Sequence, residues 1–341
     1  MQPSYSNILI ISNGELIGDG LVKLPFVRAF RREFPSAHIT WLARNGCVYA
    51  NVLKDIIGNN IDEVITNTRL GESLLDIVRP AVRPKSAKKF DLIINPELRW
   101  NRTLAAYRIP HHTFYSRHKN FALSDIKQNL SIPRRPPHVL DDLMWLLSNV
   151  CEREIEADHA PITVPDTYSK LAEALVPEAD IGRAIGLAPG SGGRNKCWSL
   201  ESYIALGQKL LREGLLPVYL IGPQELEWHP IIRDSVPNAL FPLQGTDDRS
   251  VYVTLAVAKR LRAGIANDAG GAHLMATAAS LPLIVLYGPT PPTEFVPNTK
   301  HFYPMPVQEF GFASLDKLPV DTVHDRIRLV LEKENRTIYS R

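Results

Sequence analysis

The stretch Ala263-Gly-Ile-Ala-Asn-Asp-Ala-Gly-Gly-Ala-His-Leu-Met-Ala-Thr-Ala-Ala279, continued by Ser280-Leu-Pro282 and Leu283-Ile-Val-Leu-Tyr287, decides the fold class. A short apolar run, Ala263 to Ala266, enters a turn of Asn, Asp and Gly, and an Ala-rich segment of good helix formers follows. Pro282 ends that segment, and Leu283–Tyr287 is an apolar run of strand length. The pattern is one strand–helix–strand crossover of a parallel sheet. The turn Asn267–Gly271 therefore lies between the carboxyl end of a strand and the amino end of a helix. Amides there carry about half a positive charge and suit a phosphate. Asp268 and His273 flank the turn as polar handles, His273 being open to either a packed-core or a ligand role.

The same alternation extends outward. Val251–Lys259 reads as the preceding helix, Pro217–Ile221 as a strand running into Gly222-Pro-Gln-Glu225, and Leu200–Glu213 as an amphipathic helix capped by Ser199 and closed by Gly214. Before it, Ala184–Ala188 is a strand leading into Pro189-Gly-Ser-Gly-Gly-Arg-Asn-Lys-Cys-Trp-Ser199. Glycines there let the backbone approach a ligand closely. Lys196, beside such a loop and just before a capped helix, points to phosphate more than to an idle surface lysine. Tyr168–Leu175 and Val320–Glu334 read as further helices.

The first half repeats the alternation. Strands are expected at Asn7–Ser12, His38–Ala43, Asp62–Thr66 and Phe90–Asn95. Helices are expected through Leu21–Phe30, over Ala50–Ile57, over Ser73–Val82 and over Asp141–Cys151. Alternation of this kind implies parallel sheets with helices on both faces. Between Arg99 and Pro137 the pattern breaks down into basic residues interleaved with Trp100, Tyr107, Phe114, Tyr115 and Phe121. No nucleic-acid signature accompanies them, so functional loops over a sheet are the better reading.

With 341 residues, 45% of them apolar and 22% charged, the chain accommodates two domains with real cores. The expected division is an acceptor domain over 1–160, a linker over 161–167, a donor domain over 168–319 and a terminal helix and tail over 320–341. Residues 1–150 carry a net charge of +7 and the remainder −4, so the first half suits either an anionic partner or an ordinary solvated surface. No apolar run reaches the roughly 20 residues that span a bilayer, and Ile8–Ile11 reads as a buried strand rather than a signal peptide. Cys47, Cys151 and Cys197 are too scattered for a disulfide framework or a zinc pattern. The expectation is a cytoplasmic protein without a cofactor.

After the first strand, Gly14-Glu-Leu-Ile-Gly18-Asp19-Gly20 opens a helix as a dinucleotide loop would. It departs from Gly-x-Gly-x-x-Gly and lacks the acidic partner at the end of the second strand, so a nicotinamide reading is the minor one, an oxidoreductase on a similar fold; it has no P-loop Lys. Asp19 then has two readings, a helix N-cap or a general base at the mouth of a sheet. The adjacent His111 and His112 lack a third partner at metal spacing, and no Asp-x-Asp clamp is present, so no metal is expected.

These motifs resemble glycosyltransferase family 9, the ADP-heptose:lipopolysaccharide heptosyltransferase family. The family's strand, Gly-Asp turn and proline-bearing helix look like Ile8–Pro25. Its Pro-Gly loop and Lys-x-Trp look like Pro189–Trp198. Its Asp-x-Gly-x-x-His-Leu motif and following Tyr-Gly-Pro-Thr look like Asn267–Leu274 and Tyr287–Thr290. The resemblance runs nearly end to end and is weakest over 95–160. It implies an α/β GT-B fold, two Rossmann-like doubly wound domains facing a cleft. It also implies inverting transfer of heptose from ADP-heptose to a hydroxyl of a saccharide acceptor in lipopolysaccharide core.

By the same resemblance Asp19 is the catalytic base. Lys196 contacts the donor diphosphate with Gly190 and Ser191 lining its loop, and Glu225 approaches the nucleoside. Asp268, Ala269, Gly270, Gly271 and His273 form the phosphate-side wall. The implied partners are a nucleotide-sugar donor and an anionic or lipid-linked saccharide acceptor, with peripheral contact at the inner face of the membrane and no nucleic acid. Ala269 stands where the family has Ser or Thr, and Gly14-Glu-Leu-Ile is also atypical. A nucleotide-sugar-binding homologue without transfer, or a sugar-nucleotide epimerase, are the competing classes.

Overall fold

The computed structural model describes residues 5–73, 82, 88–134, 138–193, 196–278 and 281–339, the side chains of 335–339 excepted. The chain divides into two units, Met1–Ala160 and Pro161–Arg341.

In the first unit, runs of Ile, Leu and Phe with few breaks form strands buried on both faces, as a parallel sheet requires. These are β1 (Asn7–Ser12), β2 (His38–Ala43), β3 (Glu63–Ile65), β4 (Phe90–Asn95) and β5 (His111–Ser116). They pair in the order β3-β2-β1-β4-β5, all parallel. Side chains alternate between faces along each strand. Leu9, Ile11 and Ile93 pack with Ala105 and Ala106 of α3 (Trp100–Tyr107). Trp41, the neighbour of Leu42 on β2, meets Phe26 of α1 (Ile17–Glu33) on the other face. The strand order reverses between β1 and β4, which makes the carboxyl ends of those strands the ligand-binding edge of such a sheet.

Two local expectations are corrected here, and a third falls outside the described residues. The helix read over Ala50–Ile57 is a 3₁₀ turn, Val48–Ala50, followed by the four-residue α2 (Lys54–Ile57), which Gly58 ends at φ +52°. The stretch from Arg99 holds α3 and β5, too short and too polar to show a clear period; β5 begins His111-His112. The helix read over 73–82 lies almost wholly outside the described residues. The unit closes with α4 (Val139–Val150), packed along α1.

In the second unit α5 (Asp166–Leu175) leads to β6 (Ala184–Ala188), α6 (Leu200–Arg212), β7 (Leu216–Tyr219), α7 (Trp228–Ser235) and α8 (Val251–Ala258). Then follow β8 (Ala263–Asn267), α9 (Gly270–Ala276), β9 (Leu283–Tyr287), β10 (Phe302–Pro306) and α10 (Val320–Tyr339). The strands are parallel in the order β10-β9-β8-β6-β7. Ile185, Leu187, Ile265 and Ile284 face a core with α6 and α10. β10 went unread because Pro304 and Pro306 interrupt it; it lies at the sheet edge, where proline is tolerated.

The opposite face of this sheet is thinned by glycine. Gly186 and Gly264 are register partners. A Cβ on Gly264 would stand 3.0 Å from the Met275 sulfur of α9, and one on Gly186 2.5 Å from Leu261 Cδ1. A Cβ on Gly271 would stand 3.0 Å from that of Ala188. Small residues thus seat α9 directly on the sheet, and its first turn comes against the end of β6. Here too the order reverses, between β6 and β8.

Candidate functional site

The loops after β6 and β8 meet at this reversal, and Asn267 joins them. It is fully buried, at 0% exposure. Its Nδ2 donates to Pro189 O at 2.7 Å, and its Oδ1 accepts from Trp198 N at 3.0 Å and Tyr203 OH at 3.2 Å. One amide therefore fixes both ends of the Pro189–Trp198 loop against the last residue of β8. Trp198 is anchored again by its indole, which donates to Leu318 O at 2.9 Å. Ser199 caps α6 by accepting from Ser202 N at 3.0 Å. The loop is open in sequence but held at its base by buried hydrogen bonds, which are costly to break.

The sequence-predicted residues of this unit come together on that frame. Lys196 Nζ lies 3.5 Å from Asp268 Oδ2; the lysine side chain is 38% exposed and the aspartate 8%. Burial, and after it the Asp268 charge, push the Tyr287 hydroxyl up. Gly190 packs on Glu225: a Cβ there would stand 2.5 Å from Glu225 Oε2. Glu225 is buried and turns back through Glu225 N to Gly222 O at 3.2 Å. The Ser191 hydroxyl is buried with no hydrogen-bond partner among the described residues. Such a group is uncommon in a folded protein and is expected to meet a ligand or water.

Ala269 is the N-cap of α9 and supplies no side-chain cap, while Gly270 and Gly271 open the helix. His273, buried, is its fourth residue. Asn267 and Tyr203 were not singled out from the sequence. The Asn preceding Asp268 was visible there, but its three partners are distant in the chain.

In the first unit the loop after β1 carries Asp19. The N-cap of α1 is Leu16, so Asp19 is not the cap but the third helical residue; its Oδ2 accepts from Leu16 N at 3.1 Å. A short acidic side chain at this position reaches back to the cap backbone, half of a capping box. Gly14 has φ +115°, and a Cβ on it would stand 2.7 Å from Gly46 O, so the turn admits only glycine at that point.

Between Gly14 and Asp19 lies a residue that the sequence reading passed over. Glu15 is buried, its side chain 0% exposed. Its Oε1 accepts from the Ser12 hydroxyl and from Lys23 Nζ at 2.9 Å; its Oε2 accepts from Trp41 Nε1 at 3.1 Å and Cys47 Sγ at 2.8 Å. Burial pushes the carboxyl up, but the Lys23 charge with the bonds from Cys47, Ser12 and Lys23 outweighs it, leaving the group below its ordinary value. Burial and the adjacent Glu15 charge push the Cys47 thiol up. A glutamate in an apolar neighbourhood with a lysine eight residues on is the only trace of this cluster in the sequence.

The depressed carboxyl fixes a sign. Its stabilising contribution is fully present above the ordinary glutamate value of 4.5 and is lost as pH falls through the lower native value. Glu15→Gln breaks the buried pair with Lys23 and is expected to cost roughly 3 kcal/mol at pH 7. In thermal unfolding the gap from wild type narrows as pH drops below about 4.5; a gap independent of pH would contradict the ion pair.

Also at this edge, Arg44 Nη1 donates to Asn13 Oδ1 at 2.8 Å and Arg102 Nη1 to Glu97 Oε2 at 2.6 Å. These residues end or follow β1, β2 and β4.

Comparison with known proteins places these features in context. The model of glycosyltransferase family 9 (heptosyltransferase) matches residues 85–305. Lipooligosaccharide heptosyltransferase 2 of Haemophilus influenzae is 26% identical over 315 residues, covering 84% of each chain. A family 9 glycosyltransferase from Veillonella parvula has a similar structure, with TM-score 0.70, 20% identity and coverage of 98% of this chain and 99% of that one. The E. coli heptosyltransferase WaaC, solved with ADP, gives TM-score 0.63 at 17% identity, covering 95% and 99%.

Proposed function

The chain belongs to glycosyltransferase family 9 and has its GT-B fold, and from that premise we propose that it transfers heptose from ADP-heptose to a hydroxyl of lipopolysaccharide core with inversion. The observation that carries the donor half is the loop geometry of the second unit. A lysine resting on a buried carboxylate, a buried hydroxyl without a partner among the described residues and an uncapped glycine helix start converge at the end of the sheet where its order reverses. Each is a group that a diphosphate satisfies. In this reading the diphosphate draws Lys196 from Asp268, takes the Ser191 hydroxyl and lies against Ala269, Gly270, Gly271 and His273. Gly190 and Glu225 hold the nucleoside side.

The acceptor half rests on Asp19. Its carboxylate takes the proton from the acceptor hydroxyl as the oxygen attacks the anomeric carbon, and ADP departs from the opposite face. Lys196 then meets the charge that develops on the leaving group. The acceptor is an anionic or lipid-linked saccharide, matching the +7 charge of residues 1–150. No helix among the described residues is long and apolar enough to cross a membrane. We place the enzyme in the cytoplasm, meeting its acceptor at the inner membrane face.

Thermal unfolding with ADP, GDP, UDP, CDP and NAD tests the donor. ADP at 100 times its dissociation constant stabilises by about 2.7 kcal/mol. A shift with UDP or GDP instead of ADP would change the donor, and no shift with any would favour a homologue that transfers nothing. Gly190→Ala sharpens the test, because its methyl would collide with Glu225 Oε2, 2.5 Å away. ADP affinity measured by calorimetry is expected to fall about tenfold, equivalent to ~1.4 kcal/mol, while unchanged affinity would remove Glu225 and Gly190 from the nucleoside side.

A further inference from the structure

Glu15 is a buried charge with four side-chain partners at the edge that carries Asp19, and the reaction as described does not use it. Four side chains from three places converge on it: Ser12 at the end of β1, Lys23 on α1, and Trp41 and Cys47 on β2 and the turn beyond. Its backbone is held as well, with Glu15 N donating to Gly46 O at 3.1 Å and Val48 N donating to Glu15 O at 3.1 Å. The carboxylate is therefore fixed in place, and the mobile member of the group is Lys23, on a four-carbon stem.

Lys23 lies four residues after Asp19 on the same helix, and a carboxylate one turn before a lysine is the favourable order for pairing. In the structure the ammonium is instead 2.9 Å from Glu15. Cys47 and Tyr49, in the turn after β2, are both pushed by burial toward their neutral forms, so neither competes for the lysine.

We propose that Glu15 is the positioning residue of the base: it holds the Lys23 ammonium against the end of β1 and so keeps Asp19 unpaired and able to accept a proton. A carboxylate paired with an ammonium is a weaker base, its pKa lowered by about 1–3 units, and it meets the acceptor hydroxyl less readily. The proposal rests on the reading of Asp19 as the base. It gives a reason for the atypical Gly14-Glu-Leu-Ile: the glutamate and the lysine work as a pair.

The test follows heptose transfer from ADP-heptose to truncated lipopolysaccharide core in wild type, Glu15→Gln, the double variant Glu15→Gln with Lys23→Met, and Asp19→Asn. Glu15→Gln is expected to lower kcat about tenfold with the KM for ADP-heptose unchanged, since the freed lysine swings to Asp19. The double variant removes the lysine charge too and is expected to regain wild-type kcat within about twofold. A purely structural role predicts no such rescue.

Folded Glu15→Gln with wild-type kcat would overturn the proposal. So would a folded double variant that remains as slow as expected for the single one, a result that can be read even if Glu15→Gln alone does not fold. Asp19→Asn separates the two levels. If it is inactive while Glu15→Gln is unaffected, only the positioning role fails; if it turns over like wild type, the base and its brace fail together.

Discussion

Asp19→Asn is expected to slow turnover by about 10²–10⁴-fold, the range that a positioned base supplies, with the fold and donor affinity intact. The substitution is chosen for what it leaves in place. Asp19 is the third residue of α1, and its Oδ2 accepts from Leu16 N. An asparagine keeps a carbonyl oxygen for that bond and has nearly the same volume, so the first turn of the helix is retained. It loses only the capacity to accept and carry a proton. Steady-state kinetics should therefore show the loss in kcat, and unfolding in the presence of ADP should show the wild-type shift. Turnover within a few-fold of wild type would make Asp19 a helix-start residue and nothing more.

Lys196→Ala is expected to reduce kcat/KM for the donor by about 10²-fold or more, comparable with loss of one group that stabilises developing charge. Two effects act in the same direction. The leaving diphosphate loses a cation aimed at it. The Asp268 carboxylate, 8% exposed and 3.5 Å from Lys196, loses its partner and is left as an uncompensated negative charge facing the phosphates. Lys196→Arg keeps the charge on a bulkier head and is expected to recover part of the loss. Both kcat and ADP affinity fall in the alanine variant, because the cation serves the bound donor and more strongly the departing ADP. A variant that loses stability but binds ADP normally would assign Lys196 to the loop rather than to the donor.

The sequence carried the fold class well because parallel strands, buried on both faces, write themselves as uninterrupted apolar runs. Ile8–Ile11, Leu92–Ile94 and Leu283–Tyr287 needed no context. β5 and β10 were missed for opposite reasons, one starting with two histidines and one broken by two prolines at a sheet edge. The candidate residues of the second unit stood out in the sequence because all but Glu225 and His273 lie in two short loops rich in glycine, Pro189–Trp198 and Asn267–Gly271. What those loops hold to was not legible. Asn267 reaches Pro189, Trp198 and Tyr203, partners 78, 69 and 64 residues away. Glu15 meets Cys47 across 32 residues. Buried polar hubs of this kind leave no period in the chain, since their meaning lies in which distant donors the topology delivers.

Heptose transfer itself is the measurement that tests the central claim most directly. Purified protein, ADP-heptose and a truncated lipopolysaccharide core are incubated, ADP release is followed, and the product linkage is read by NMR. The expected result is ADP released in step with a new heptosyl bond of inverted anomeric configuration, abolished in Asp19→Asn. ADP release without a glycosidic product, a retained configuration, or no turnover despite tight ADP binding would contradict it.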